Sequence, residues 1–317
     1  MIFTTGINIK HSDREIGYND HILMLGSCFS ENICQKLNEA YFQVKANPFG
    51  ILYNPVSIAE CIKTLLTGEH SATTVHHNGL WHSMLHRGCF SCADKEEFER
   101  QIHESVASGR KALEEASVII VTFGTAWVYE MEGKVVGNCH KLPSECFTRR
   151  RLSVDEIADI WREILALPVM QGKHLIFTVS PIRHLKDGLH ENQLSKATLL
   201  LACEKIAEEI KQTAGSPSVD YFPSYEILLD ELRDYRFYAE DMLHPSAVAV
   251  DYIWQRFADT YFSDATQTEI LPLQQLWNDM HHRPLHPDSV EYIRFKEQTE
   301  KKARALQKKY PWISLSL

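Results

Sequence analysis

No apolar run in this chain approaches the ~18 residues that would let a helix cross a bilayer, so no membrane-spanning segment is expected. The first residues, Met1 to Lys10, carry neither a basic patch nor a long apolar core, so no export signal is expected either. Positive charge is in short supply as well: 33 Lys and Arg against 42 Asp and Glu leave a formal charge of −9. A dedicated nucleic-acid surface, which needs clustered cations to neutralise phosphates, is therefore not expected, and a small polar or neutral substrate fits better. The eight cysteines (28, 34, 61, 89, 92, 139, 146 and 203) are too sparse in 317 residues for a disulfide scaffold. Reduced thiols in a cytoplasmic protein are the expectation. Cys89 and Cys92 form a lone Cys-x-x-Cys, and without a second pair at zinc spacing the motif reads as chance. There is no internal repeat, and no cofactor is called for.

What the chain does have is 44% hydrophobic residues, enough for a large core, read as one domain over 1–263 and a helical extension over 264–317. His21 to Leu25 reads as a strand, and Ser30 to Ala40 as the helix after it. Asn54-Pro55 opens a second helix that Gly68 ends. Thr73 to Cys92 reads as a hairpin turning at Asn78-Gly79. Asp94 caps a helix with Phe98, Ile102 and Val106 on one face, before the continuous strand Ser117 to Phe123. A second hairpin follows around Glu132-Gly133, then a capping box at Ser153 and Glu156, the strand His174 to Val179, a helix from Glu191 to Thr213 and the strand Val219 to Phe222. Strands alternating with helices predict a three-layer α/β/α, flavodoxin-like architecture around a central parallel sheet. Ligands in such sheets bind beyond the carboxyl ends of the strands, which selects Cys28, Gly124 and its successors, and Ser180 for one rim.

The first of these turns, Gly26-Ser27-Cys28-Phe29-Ser30, places a nucleophile beside a helix N-terminus, where free N–H groups stabilise a thiolate or an oxyanion. Cys28 is the leading nucleophile and Ser27 its rival. Near the end of the domain, Asp241-Met242-Leu243-His244 has a carboxylate three residues before a histidine, a spacing that lets the carboxylate fix the imidazole tautomer. The same spacing also suits a helix cap beside a surface histidine. A metal reading would join His82, His86, His140 and His184 with Asp241 or His244, but sixteen histidines make such coincidences common, and no metal site is expected.

Taken together, a nucleophile turn first, glycine turns after later strands and Asp-x-x-His near the end resemble the layout of the SGNH hydrolases, a family of esterases and acyl-modifying enzymes. More closely, Gly26 to Ser30 resembles the motif of the GSCFA family, a bacterial group. The likeness runs from about Phe3 to Phe262 through Asn47-Pro48-Phe49-Gly50, Phe123 to Trp127, Asn138 to Lys141, Ser180 to His184 and Tyr238 to Pro245. The resemblance implies Gly26 at the first-block glycine, Ser27 at the aspartate and Cys28 at the nucleophile. It implies Gly50 as an oxyanion N–H donor, Gly124 and Thr125 in the third block, and Asp241 with His244 in the fifth. Where the third block usually has an asparagine, this chain has Ala126; Asn47 or Asn138 is the expected substitute donor. His82, His140, Lys141, Arg183 and His184 are candidate substrate contacts, and Trp81, Trp127, Tyr129 and Tyr238 candidate stacking surfaces. The implied chemistry is hydrolysis or transfer of a small or carbohydrate-linked acyl ester through a Cys-His-Asp triad, or, in a degenerate relative, binding of the same ligand without turnover.

Overall fold

The computed structural model describes residues 5–69, 72–211 and 217–313. Its strands are β1 (His21–Gly26), β2 (Gln43–Ala46), β3 (Thr74–His77), β4 (Leu80–Ser83), β5 (Val118–Phe123), β6 (Trp127–Met131), β7 (Lys134–Val136), β8 (Thr148–Arg151), β9 (His174–Val179) and β10 (Ser218–Phe222). The helices are α1 (Cys28–Glu39), α2 (Pro55–Thr67), α3 (Lys95–Glu115), α4 (Val154–Leu165), α5 (Gly188–Lys211), α6 (Ser224–Glu226), which runs on into a π-turn (Ile227–Leu232), α7 (Ala247–Tyr261), α8 (Asp264–Met280) and α9 (Val290–Gln307). The predicted end of the α5 segment at Thr213 lies outside the described residues. No helix among the described residues is long and apolar enough to cross a membrane.

The helix boundaries follow local chemistry. Asn54 accepts from the Ser57 N–H at 2.8 Å, Pro55 occupies the first helical position, and Gly68 at φ 72° ends α2. Asp94 and Ser153 cap α3 and α4 in the same way. Asn78 and Gly79, both at positive φ, turn β3 into β4.

Five parallel strands form the central sheet in the order β10-β9-β5-β1-β2. Alternate side chains of each strand enter separate cores. Leu23, Leu25, Ile119, Val121, Leu175 and Phe177 pack against α2, α3, α4 and α5. Ile22, Met24, Val118, Ile120 and Ile176 pack against α1, α7 and α8. The result is the three-layer α/β/α sandwich that the sequence predicts, with the strand order of a flavodoxin-like sheet. In that order the connections leave β1 and β5 in opposite directions, which opens a crevice beyond their carboxyl ends.

Four features differ from the sequence reading. Helix α1 begins at Cys28, two residues early, because Ser27 adopts the extended N-cap conformation. Edge strand β2 was not anticipated. Strand β8 adds a third strand to the expected β6–β7 hairpin, giving an antiparallel sheet that lies over the site. The extension holds two helices among the described residues rather than one, and the segment after the second packs back on the domain: Tyr310 and Ile313 are buried, and Trp312 Nε1 donates to the Tyr41 carbonyl at 2.9 Å.

Candidate functional site

At the end of β1 the chain turns through Gly26 at φ 138°, where a Cβ would stand 2.2 Å from the Thr122 carbonyl oxygen, so only glycine fits between the two strand ends. Asn47 secures this turn: its Oδ1 accepts the Gly26 N–H at 2.9 Å and its Nδ2 donates to Ser30 Oγ at 3.2 Å. Ser27 is buried, and its hydroxyl has no hydrogen-bond partner among the described residues. Cys28, as the first helical residue, projects into the crevice, and its Sγ lies 3.8 Å from His244 Nε2.

His244 arrives on a loop pinned at its base by a bridge between Tyr238 and Pro245 and by the Ala239 N–H donating to the His244 carbonyl at 2.8 Å. Asp241 Oδ1 accepts the N–H groups of Leu243 and His244 at 2.9 and 3.0 Å, and its Oδ2 lies 2.6 Å from His244 Nδ1. Those backbone bonds, together with the imidazole, hold the Asp241 carboxyl at a pKa of about 2. A carboxylate there requires Nδ1 to carry the proton, so Nε2 presents its lone pair toward the sulfur. The helix of the Asp-x-x-His alternative is capped elsewhere, by Ser246.

Burial pushes the Cys28 thiol above its ordinary pKa, against the opposing pull of the Cys28 and Phe29 N–H groups and of Lys196. The helix start alone therefore does not make a thiolate, and proton removal falls to a base. Lys196, on α5 and fully buried, was not anticipated. Its ammonium donates to the carbonyls of Gly124 and Ser180, both at 2.7 Å, and so ties together the loops leaving β5 and β9 behind Cys28. Burial lowers its pKa to about 7.

The crevice widens into a cleft of about 490 Å³. Cys28, His244, Thr125, Asn138, Arg183 and His184 line it together, as do Trp127 and Tyr129 from β6. His184 is held neutral, chiefly by burial, with a pKa of about 4. Asn138 Oδ1 accepts the His140 N–H at 3.1 Å, leaving its amide nitrogen as the donor end.

Other candidates sit elsewhere for identifiable reasons. The Gly50 N–H closes a turn onto the Asn47 carbonyl at 2.7 Å, and the Asn47 side chain is spent on the nucleophile turn, so neither offers an oxyanion donor. Gly124 and Thr125 both donate their N–H to the Tyr53 carbonyl. Ala126 points into the main core, so an asparagine there would not face the cleft. The N–H groups of Cys28 and Phe29, unpaired by helix geometry, are the donors nearest the sulfur. The His82 and His140 rings lie tilted against each other at 4.5 Å, and His86 stacks on Phe49 at 4.0 Å, in the packing beneath the β3–β4 hairpin. Trp81 lies on that hairpin, Tyr238 is buried under Arg183, and Lys141 is exposed. All eight cysteines are free thiols, and among the described residues no three His, Cys, Asp or Glu side chains converge to hold a metal ion.

Comparison with known families matches residues 21–257 to the GSCFA family and residues 273–317 to the C-terminal domain of GSCFA domain proteins. No curated protein matches the chain.

Proposed function

Since the chain belongs to the GSCFA family, we propose that it is an acyl-ester hydrolase or acyltransferase acting through Cys28, His244 and Asp241 on a small or carbohydrate-linked ester. The observation that carries this reading is the single line of contacts from Asp241 Oδ2 through the imidazole to Cys28 Sγ, at 2.6 and 3.8 Å, at the mouth of the crevice between β1 and β5. His244 Nε2 takes the thiol proton as the sulfur attacks the acyl carbon, and the imidazolium that forms faces an already ionised carboxylate. The oxyanion accepts from the N–H groups of Cys28 and Phe29. His244 then returns the proton to the departing alcohol, leaving a thioester on Cys28. Water or an acceptor alcohol, deprotonated by the same nitrogen, releases the acyl group and regenerates the thiol.

A second reading, a cleft that binds such a ligand without turning it over, is favoured by the spent donors at Asn47 and Gly50 and by the upward shift of the thiol. Intact-mass spectrometry during incubation with an aryl acetate separates the two. The enzyme reading expects one acetyl adduct on Cys28 that decays with turnover and is absent in Cys28→Ala. Unchanged ester cleavage by Cys28→Ala overturns the nucleophile assignment.

A further inference from the structure

In a chain of net charge −9, the cleft beside Cys28 is cationic. Its lining holds Arg149, Arg183 and Lys186 against one carboxylate, Asp187, and that carboxylate is engaged by Arg149, with Nη2 to Oδ2 at 2.6 Å. Lys186 and Arg183 have aromatic partners instead. Lys186 donates to the Tyr129 hydroxyl and lies 4.9 Å from the centre of its ring. Arg183 lies 4.2 Å from the ring of Tyr238 and 5.2 Å from that of Tyr235. Aromatic faces orient a cation without neutralising it. Cations on the outer helices are treated differently: Arg100, Arg162 and Lys205 each engage carboxylates.

One further atom points the same way. Trp127 Nε1 belongs to a side chain that lines the cleft, yet it is buried without a hydrogen-bond partner among the described residues. The indole nitrogen is a donor only, and an orphaned donor beside a cavity calls for an acceptor-rich ligand. Concave walls of low dielectric also focus the field of their charges and concentrate ligands of opposite sign.

We propose that the ligand of this cleft is an anionic ester, whose carboxylate or phosphate is held by Arg183 and Lys186 while its acyl carbon lies at Cys28. The inference rests on the reading of Cys28 as the acyl acceptor and narrows the polar or neutral substrate that overall charge suggests to a negatively charged one. Its test does not depend on turnover. Iodoacetate and iodoacetamide have similar bulk and differ by one negative charge, and peptide-resolved mass spectrometry gives the alkylation rate of Cys28 by each. The exposed Cys89 and Cys146 serve as references within the same chain. The expected iodoacetate-to-iodoacetamide ratio at Cys28 exceeds that at the references by about tenfold, the lower end of focusing by a charged cleft. It falls toward the reference value in Arg183→Met/Lys186→Met, and millimolar inorganic phosphate slows iodoacetate at Cys28 in the unmodified chain. A ratio no higher than at Cys89 and Cys146 overturns the proposal, as does one that neither phosphate nor the double substitution lowers. Should the double variant fail to fold, the reference ratio and phosphate protection still decide. Absence of ester cleavage with this charge preference intact would count against the acyl-transfer reading alone.

Discussion

Around His244 and around His86 the chain performs the same assembly, bringing an imidazole against a hydroxyl or thiol from another segment, with opposite outcomes. His86 is fully buried, its Nδ1 2.8 Å from Ser83 Oγ and its Nε2 3.1 Å from Ser105 Oγ. Its neighbours His82 and His140 are committed in the same manner, to Ser91 and His77 and to the Ser83 carbonyl. His244 has a side chain that is 49% exposed, one nitrogen fixed by a carboxylate and the other turned toward a thiol across open space. Proton transfer requires a nitrogen with somewhere to send its proton, which the first cluster lacks and the second has. Histidine identity was the same signal in both. The partners decide the role.

The sharpest way to break this contrast is to remove each histidine in turn. His244→Ala should cost on the order of 10³-fold or more in kcat for an aryl ester, as removal of a triad base does, with little change in thermal midpoint because the side chain is half exposed. Equal turnover by this variant would remove His244 from the chemistry. Asp241→Asn should cost about 10²–10⁴-fold: its Oδ1 can still accept the Leu243 and His244 N–H groups, but its amide would favour the wrong imidazole tautomer. Because the native carboxyl titrates near 2, below its ordinary value, the contribution of its ionised form is complete above about pH 4 and declines only as pH falls toward 2. A pH–rate profile of the native chain should accordingly show no inflection near 4, and one that Asp241→Asn abolished would contradict the assignment.

His86→Leu should do the reverse. Losing its two hydroxyl partners and the stacked contact with Phe49 should destabilise the fold by about 1–3 kcal/mol in urea unfolding, with kcat within roughly twofold of native. A catalytic loss comparable with that of His244→Ala would erase the distinction between the clusters.

Much of this was legible from residues alone, for reasons that also explain the failures. Strands β1, β5 and β9 are buried on both faces and therefore read as continuous apolar runs, whereas β2, Gln43-Val44-Lys45-Ala46, is a half-exposed edge with one β-branched side chain and no alternation to find. Helix α8 was concealed by polar composition and by Pro272 within it. On α5 the apolar spacing of Leu194, Ala197, Leu201, Ile206 and Ile210 marks a helical face, and Ile206 and Ile210 are buried as it implies, yet Leu201 is 60% exposed. Counting back from Ile210 through Ile206, Cys203, Ala202 and Leu199 reaches Lys196, Ser195 and Asn192, all buried. That periodicity was available, but it terminates in polar residues, which a search for apolar spacing discards. They are polar because they serve the strand-end loops: Ser195 Oγ accepts the Ala126 N–H at 2.8 Å, and Asn192 Oδ1 accepts the His184 N–H at 3.0 Å. The reach of Asn47 back to Gly26 and the inward turn of Ala126 are likewise matters of loop path, which residue spacing does not encode.

Lys196 tests the contrast where it is least comfortable, since it stands behind Cys28 but is committed like His86. Its value near 7 lies below the ~10.4 of an unfolded lysine, so between those limits the unfolded chain keeps a proton that the folded chain has released. Stability contributed by this site therefore rises with pH from about 7 toward 10, by no more than about 1.4 kcal/mol per pH unit, and below 7 the buried charge is carried in full. Lys196→Met strands the carbonyls of Gly124 and Ser180 but removes the titration. The difference in unfolding free energy between the native chain and Lys196→Met should grow between pH 7 and pH 9, an interval in which the two chains share every other titrating group. Parallel curves over that interval would show that the ammonium does not titrate there. A loss of turnover as large as that of His244→Ala would instead move Lys196 from support into chemistry, and with it the premise that a side chain with all its partners satisfied is structural.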